Sequence, residues 1–537
     1  MILSMPSPSL AAYQQMSGGH TGGRKGGNTH EKTIAILISL LLACGCAAAE
    51  SRPAVLSDDA IVEEVVGNLS LLTQVPRPSH HEEKISVYFM NWAKEQGFEP
   101  VQDESLNVMF DVPATAGMET KPLVILQVHM DMVVAYENGK DFDPLNDPIT
   151  MIRNEEENTL TADGTSLGAD DGAGCALAMA AAKGLMAHGP LRVIITTDEE
   201  DGMDGAFHMS SAWLDGAAYL INLDNEASDQ VLVSTAAGDT VTASVKPEFS
   251  AASGDLALKM ELSGLKGGHS GVEIDKVRLN GIIALAGLLR NLEKQNIRFE
   301  LASFEGGTAN NAIPNRAGCE IVIGSGDEDA VKALAADYCS SLQKAYTGIE
   351  EGIRLDVSRD EAVPAVVGPE TQQHIIRYLT EIIDGVYTMS ADMEGLVESS
   401  SNLGVAVLNP DGFCASGLLR SSVGSLEEEI INAQLQLAKE CGLEAATVRT
   451  ALPWTFDPDS RLLALAQKVY NEQNNEEISV VAVHAGLECG TFKVLNPSLD
   501  MISIGPDLKD VHTTGETFYL DTLPRTWHLL EGLLAGV

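Results

Sequence analysis

The sequence predicts an α/β protein: a domain with a mixed, largely parallel sheet flanked by helices, built from both ends of the chain, with a second, α+β domain inserted into it. Three observations carry this. Between about residues 58 and 224, apolar runs of strand length alternate with stretches of helical periodicity, the order that buries a parallel sheet between helices. From about 241 apolar and polar residues alternate one by one, as in antiparallel strands with one wet face. After about 435 helix and continuous apolar strand return. The first domain is therefore expected at 55–240 and 436–537 and the inserted one at 241–435. A chain of 537 residues is also too long for a single core.

The elements follow in order. AIVEEVVGNLSLLTQ (60–74) and HHEEKISVYFMNWAKEQGF (80–98) have helical periodicity, the second stopping at Gly97. LNVMFDVP (106–113) and PLVILQVHM (122–130) read as strands. ADDGAGCALAMAAAKGLMAHG (169–189) is an Ala-rich helix opened by glycine, LRVIITTDEE (191–200) the next strand and AAYLINLD (217–224) another. In the insert, DTVTASVKPEF (239–249), LALKMELSGL (256–265) and CEIVIGSG (319–326) read as strands. VRLNGIIALAGLLRNLEKQ (277–295), DEDAVKALAADYCSSLQKAY (327–346) and ETQQHIIRYLTEIID (370–384) read as helices. SRLLALAQKVYNEQ (460–473), EISVVAVHAG (477–486) and DMISIGP (500–506) complete the first domain.

The N-terminus has a different texture. Arg24, Lys25 and Lys32 precede TIAILISLLLA (33–43) and CGCAAAE (44–50). A basic region, an apolar run too short for a membrane span and small residues beyond it describe an export signal. Cys44 and Cys46 stand where a lipidated cysteine would follow cleavage; cleavage within AAAE is the alternative. The expected location is the bacterial envelope, periplasmic or lipid-anchored, against a cytoplasmic alternative in which residues 1–50 are an unstructured extension. The remaining cysteines, Cys175, Cys319, Cys339, Cys414, Cys441 and Cys489, form no CxxC pair and read as core thiols. The net charge of −43 repels nucleic acid and anionic membranes and excludes both as partners.

Five segments place acidic or imidazole groups where a parallel sheet exposes its carboxyl edge: VHMDM (His129, Asp131), LGADDGAG (Asp170, Asp171), TTDEEDG (Asp198, Glu199, Glu200), INLDNE (Asp224, Glu226) and KDVHTTGE (Asp510, His512, Glu516). Singly each has a plain reading: an Asp–His pair at a strand end, a capped loop, a solvated acidic face. Together they would repel one another unless cations compensate. Imidazoles with carboxylates and no cysteine suit two divalent metal ions, Zn²⁺ first, Co²⁺ or Mn²⁺ as alternatives. A residue bridging two metals makes a pair that activates water. Of the adjacent Glu199 and Glu200, one can ligate while the other takes the water's proton.

This ordered set, with LQVHMDMV, LTADGTSLGADDGAG, GLKGGHSGVEI, GTANNAIPNRA, LVESSSNLG and HAGLECG, resembles the M20 metallopeptidases, and within them the aminoacyl-histidine (Xaa-His) dipeptidase branch, from about 58 to the end of the chain. The resemblance implies a metal-dependent hydrolase of dipeptides, Xaa-His and carnosine-like among others, whose inserted domain is a lid. It implies His129, Asp170, Glu200, Asp224 and His512 as metal ligands, Asp170 bridging, with Asp131 orienting His129 and Glu199 as general base. Asp224 stands where dipeptidases tend to have Asp and deacylases Glu; an amidohydrolase of N-acyl amino acids is the alternative. Asp171 departs from close relatives, which often have Asn there. His269 in the lid is implied for the oxyanion or substrate carboxylate. Asn311 and Arg420 are candidates for the substrate's carboxylate or for lid support, and His484 and Glu488 for its amino group. Small peptides are the expected partners, and the chain is expected as monomer or homodimer.

Overall fold

The computed structural model describes residues 55–537; the export-signal expectation for residues 1–50 lies outside the described residues.

The apolar strand runs assemble into an eight-stranded sheet in the order Val101–Gln102, Val108–Val112, Leu191–Thr196, Leu123–His129, Ala217–Asn222, Asp500–Ser503, Gln230–Thr235 and Ser479–Val483. The four inner strands carrying Thr196, His129, Asn222 and Ser503 are mutually parallel. Val108–Val112 and Gln230–Thr235 run against them, so the sheet is mixed and largely parallel, as expected. Its central strand, LVILQVH, is buried from Val124 onward, because helices cover both faces. One layer includes Asp58–Leu72, Ala169–Ala182, Arg461–Asn474 and Leu523–Gly536, which share one core with the sheet. The Ala-rich helix Ala169–Ala182 is buried along its whole length, since small side chains let it lie close to its neighbours.

The second sheet has nine strands, all antiparallel, between Ala237 and Ala451. The one-by-one alternation in Leu256–Ser263 becomes a buried face (Leu258, Met260, Leu262) and an exposed one (Lys259, Glu261). On the buried face sits the amphipathic helix Gly281–Lys294, whose Asn280 side chain caps it by accepting from Ile282 N at 3.0 Å. The boundary at 435 is corrected: helix Gly424–Glu440 runs through it, and Glu444–Ala451 pairs with Ala237–Val245. The helical texture that returns in the sequence thus begins before the last strand of the second sheet.

Two features lie beyond the sequence reading. Leu508–Lys509, Thr517–Tyr519, Thr159–Ala162 and Met151–Asn154 form a small four-stranded sheet. Val397–Asn409 and Gly412–Ser421 form the longest hairpin of the chain's described part. Its run SSSN has a loop's composition, yet Ser399–Asn402 are buried. Each finds a partner: Ser399 with Thr388, Ser400 with His484, Ser401 with Gln434, and Asn402 with the carbonyls of Asn310 and Ala312, as buried polar groups must. Of the cysteines, Cys414 is exposed, which corrects its reading as a core thiol; its place on the strand points it away from the helices.

Candidate metal centre

His129 is the last residue of its strand. The strand read over 122–130 ends one residue earlier: Met130 N still bonds to Thr196 O at 2.8 Å, and the chain then leaves the sheet. Asp131 nevertheless returns to the imidazole, its Oδ1 lying 3.4 Å from His129 Nδ1. Asp131 also accepts from Ser79 Oγ and from the backbone N–H groups of Glu199 and Glu200. One buried carboxylate thus ties the His129 strand end to the loop with both glutamates.

Asp170 stands between two imidazoles. Its Oδ1 is 3.2 Å from His129 Nε2 and its Oδ2 is 3.0 Å from His512 Nε2. Asp224 Oδ1 lies 3.5 Å from His129 Nε2, and Glu200 Oε2 lies 2.8 Å from His512 Nε2. The predicted residues therefore fall into two donor groups, His129–Asp170–Asp224 and Asp170–Glu200–His512, sharing Asp170. Tetrahedral ligands bonded to zinc at about 2.0–2.2 Å lie roughly 3.3–3.6 Å from one another, so these donors are spaced as a divalent cation needs. Glu200 Oε1 is buried without a hydrogen-bond partner among the described residues, a group that a cation would satisfy. The donor set fits divalent metals.

The electrostatics agree. Asp224 and Glu199 are pushed well up, by burial first and then by neighbouring carboxylates. Burial and Asp170 push Glu226 up to about 7, and burial pushes Asp171 up to about 8. Burial would lower His129, yet the carboxylates of Asp224, Asp131 and Asp170 hold it well above its usual value. Hydrogen bonds to Asp170 and Glu200 raise His512 to about 10. So dense an acidic cluster requires positive charge at its centre.

The other acidic residues of the five segments do different work. Asp171, joined to Asp170 by a cis peptide bond, accepts from His129 N at 3.1 Å and Gly174 N at 3.0 Å. An asparagine carbonyl could accept the first of these bonds equally well. Asp198 lies with Glu82 and Asp131 behind the centre, 2.9 Å from His80 Nδ1. Glu516 joins neither donor group: its carboxylate accepts from the N–H groups of Leu167, Gly168 and Ala169 at 2.7–2.9 Å. Asp510 also stays outside both groups. Glu199 offers its N–H to Asp131, while its carboxylate makes no hydrogen bond or ion pair among the described residues.

The lid candidates gather elsewhere. His269 begins a turn whose N–H groups at Gly271 and Val272 both donate to its Nδ1, at 3.2 and 3.3 Å. Its proton is therefore on Nε2. Burial and then the Arg420 charge lower its pKa, keeping it neutral. A Cβ on Gly271 would sit 2.6 Å from His484 O, so this turn packs on the His484 backbone. Arg420 is 9% exposed, pairs with Ser400 across the hairpin, and has lost basicity to about 10 through burial alone. A buried guanidinium of this kind awaits an anion. Asn311 is exposed, and its carbonyl accepts from Ser270 N, so its backbone supports the His269 turn. Glu488 is placed differently from the pocket wall expected: it is 1% exposed, and its Oε2 accepts from Gln127 at 2.6 Å and Thr196 at 2.7 Å. It lies under the strand ends.

His484 gives a pH-dependent test. Burial, then Arg420, lowers its pKa to about 3, and Ser400 Oγ lies 2.7 Å from its Nε2. The unfolded chain takes up a proton there near pH 6.5, the folded chain only near 3. Stability therefore falls as pH drops through that interval, by about 2 kcal/mol at pH 5. Melting temperatures between pH 6.5 and 4 should fall more steeply for the wild type than for His484→Gln; parallel curves would refute the assignment.

The sequence motifs missed Arg77, 3% exposed, whose guanidinium reaches the carbonyls of Met130, Asp131 and Gly168. Nothing in the PRPS stretch that carries it points to those carbonyls.

Comparison with known proteins bears on this centre. Peptidase family M20/M25/M40 matches residues 125–536. The cytosol non-specific dipeptidase of Escherichia coli (strain K12) is 34% identical over 471 residues, which cover 87% of this chain and 96% of that protein. The crystal structure of aminoacylhistidine dipeptidase from Vibrio alginolyticus matches with a TM-score of 0.82 at 32% identity, over 88% of this chain and 96% of that one. The metallo-carboxypeptidase Sso-CP2 from Sulfolobus solfataricus shares the fold, with a TM-score of 0.50 at 15% identity over 88% and 98% of the two chains. The E. coli relative corrects the expectation of an exported, periplasmic or lipid-anchored protein. That relative is a cytosol enzyme alike over 87% of this chain, whereas the export reading rested on a basic region, one short apolar run and the small residues after it. Among the described residues no helix is long and apolar enough to cross a membrane.

Proposed function

The chain belongs to peptidase family M20/M25/M40, a peptide hydrolase that uses divalent metal, and on that premise we propose that it cleaves dipeptides, Xaa-His and carnosine-like ones among them, at a dinuclear centre. The observation that supports this most is the pair of donor groups sharing Asp170. The names of the E. coli and V. alginolyticus relatives agree with it.

His129, Asp170 and Asp224 would hold one cation and Asp170, Glu200 and His512 the other. Zn²⁺ suits two imidazoles among carboxylates best, with Co²⁺ and Mn²⁺ compatible. When bound, such ions polarise the scissile carbonyl and acidify the attacking water. Glu199 takes the water's proton, which its free carboxylate permits, and passes it to the leaving amine. His269, neutral with its proton on Nε2, donates to the oxyanion. Arg420 receives the substrate's carboxylate, the anion that its burial without an acidic partner among the described residues anticipates. Asp131 fixes His129 and, through their N–H groups, the two glutamates. The strands and helices of Ala237–Ala451 serve as the lid over a catalytic domain made from the rest.

The test is a panel of β-Ala-His, Gly-His, Ala-Ala, tripeptides and N-acetyl amino acids with metal-loaded protein. Dipeptides should be hydrolysed, and tripeptides at least about a hundredfold more slowly, because their extra residue moves the carboxylate away from Arg420; acetylated amino acids, which lack only the free amino group, should also be poorer substrates. Turnover of the acetylated compounds alone would make the protein a deacylase.

A further inference from the structure

Two buried side chains outside both donor groups grip the loop that carries Asp170, from opposite sides. On one side is Glu516. Its carboxylate gathers the N–H groups of four successive residues, Leu167 at 2.7 Å, Gly168 at 2.9 Å, Ala169 at 2.7 Å and Asp170 at 3.4 Å. Helix Ala169–Ala182 has no cap from its own first turn, since its N-cap residue is Gly168 with φ +71°. Its entry is satisfied instead by a carboxylate from the far end of the chain. Glu516 stands four residues beyond His512, so one short segment carries both the anchor and the imidazole of the second donor group.

On the other side is Arg77. It spends Nη1 on Met130 O at 2.9 Å and Asp131 O at 2.8 Å, and Nη2 on Gly168 O. These carbonyls directly follow His129 and shortly precede Asp170. A planar guanidinium can bind all three at once; a lysine ammonium cannot match that fork. The glycines of LGADDG make room for it. A Cβ at Gly168 would lie 2.7 Å from Arg77 Nη2, and one at Gly172 would lie 2.8 Å from the same atom.

We infer that Glu516 and Arg77 are positioning residues that set the two halves of the centre separately: Glu516 fixes Asp170 against His512, and Arg77 fixes Asp170 against His129. The inference rests on the dinuclear reading above. Neither side chain supplies a ligand; each governs the distance between ligands on different segments. A loose anchor on one side weakens one donor group and spares the other.

Calorimetric titration of metal-free protein with Zn²⁺ tests this, with metal content after dialysis as a second readout. The wild type should take up two equivalents and His512→Ala one. In the His512→Ala background only the His129 group remains. There Arg77→Met should weaken uptake at least about tenfold and Glu516→Gln should leave it unchanged within about twofold. In the full chain Glu516→Gln should weaken only one equivalent, and Glu516→Asp, which keeps the charge, should restore part of it. If Arg77→Met does not fold, Arg77→Lys carries the same arm with a smaller loss. Equal weakening of both sites by both variants, or no weakening by either, overturns the inference. A wild type that binds fewer than two equivalents overturns the dinuclear reading itself.

Discussion

Glu199→Gln should lower kcat by about a thousandfold while both equivalents of metal stay bound. The variant is isosteric and leaves every donor of the two groups in place, because Glu199 belongs to neither. Its backbone N–H, held by Asp131 Oδ1 at 3.1 Å, is untouched, so the loop keeps its course. Only the capacity to accept a proton goes. Burial, with Glu488, Glu200 and Asp170 around it, pushes the Glu199 pKa well above that of a free carboxyl. That brings it nearer the operating pH of a general base. In the wild type, kcat/KM should therefore decline on acidification as Glu199 takes up its proton, and that limb should be missing from the variant's residual activity. Steady-state rates across pH, beside metal content by mass spectrometry, decide the matter. A variant that keeps its metal and the wild-type rate removes Glu199 from the base role.

Much of this centre was legible in the sequence because the fold class itself concentrates function. In a parallel sheet the carboxyl ends of adjacent strands open on one edge. His129 ends one strand, and Glu200 and Asp224 follow closely on the ends of its two neighbours, so reading the strands was enough to bring these residues together. Helical periodicity served equally well for the helices, as in Gly281–Lys294, read from the sequence over 277–295. What stayed hidden depends on contacts between distant segments. Glu516 appeared among the candidate acidic residues, but nothing in KDVHTTGE says that its carboxylate meets the backbone of residues 167–170. Arg77 carries no local pattern, because its partners are carbonyls, which every residue has. SSSN reads as a loop until Gln434, His484 and Thr388 are seen to satisfy it. Export was misread because a short apolar run has the same composition whether or not it is a signal.

Asp170→Ala should abolish both metal equivalents and reduce activity by on the order of 10⁴-fold or more. No other predicted ligand belongs to both donor groups, so no other single substitution should do this; Asp224→Ala and His512→Ala should each cost one equivalent. The charge balance points the same way. The two imidazoles hold the Asp170 carboxyl well below the usual range despite its burial, so it stays ionised when its neighbours Asp224 and Asp171 resist ionisation. Asp170 is thus the acid on which the first cation can count without displacing a proton. Asp170→Asn refines the test. One amide oxygen can face one group, while the NH₂ faces the other as a donor, so this variant should keep at most one equivalent. Circular dichroism and thermal melting in chelator separate metal loss from unfolding, since the loop remains held by Glu516 and Arg77 in both variants. Retention of two equivalents by Asp170→Ala would mean that the groups do not share this carboxylate, and the bridging geometry would have to be abandoned.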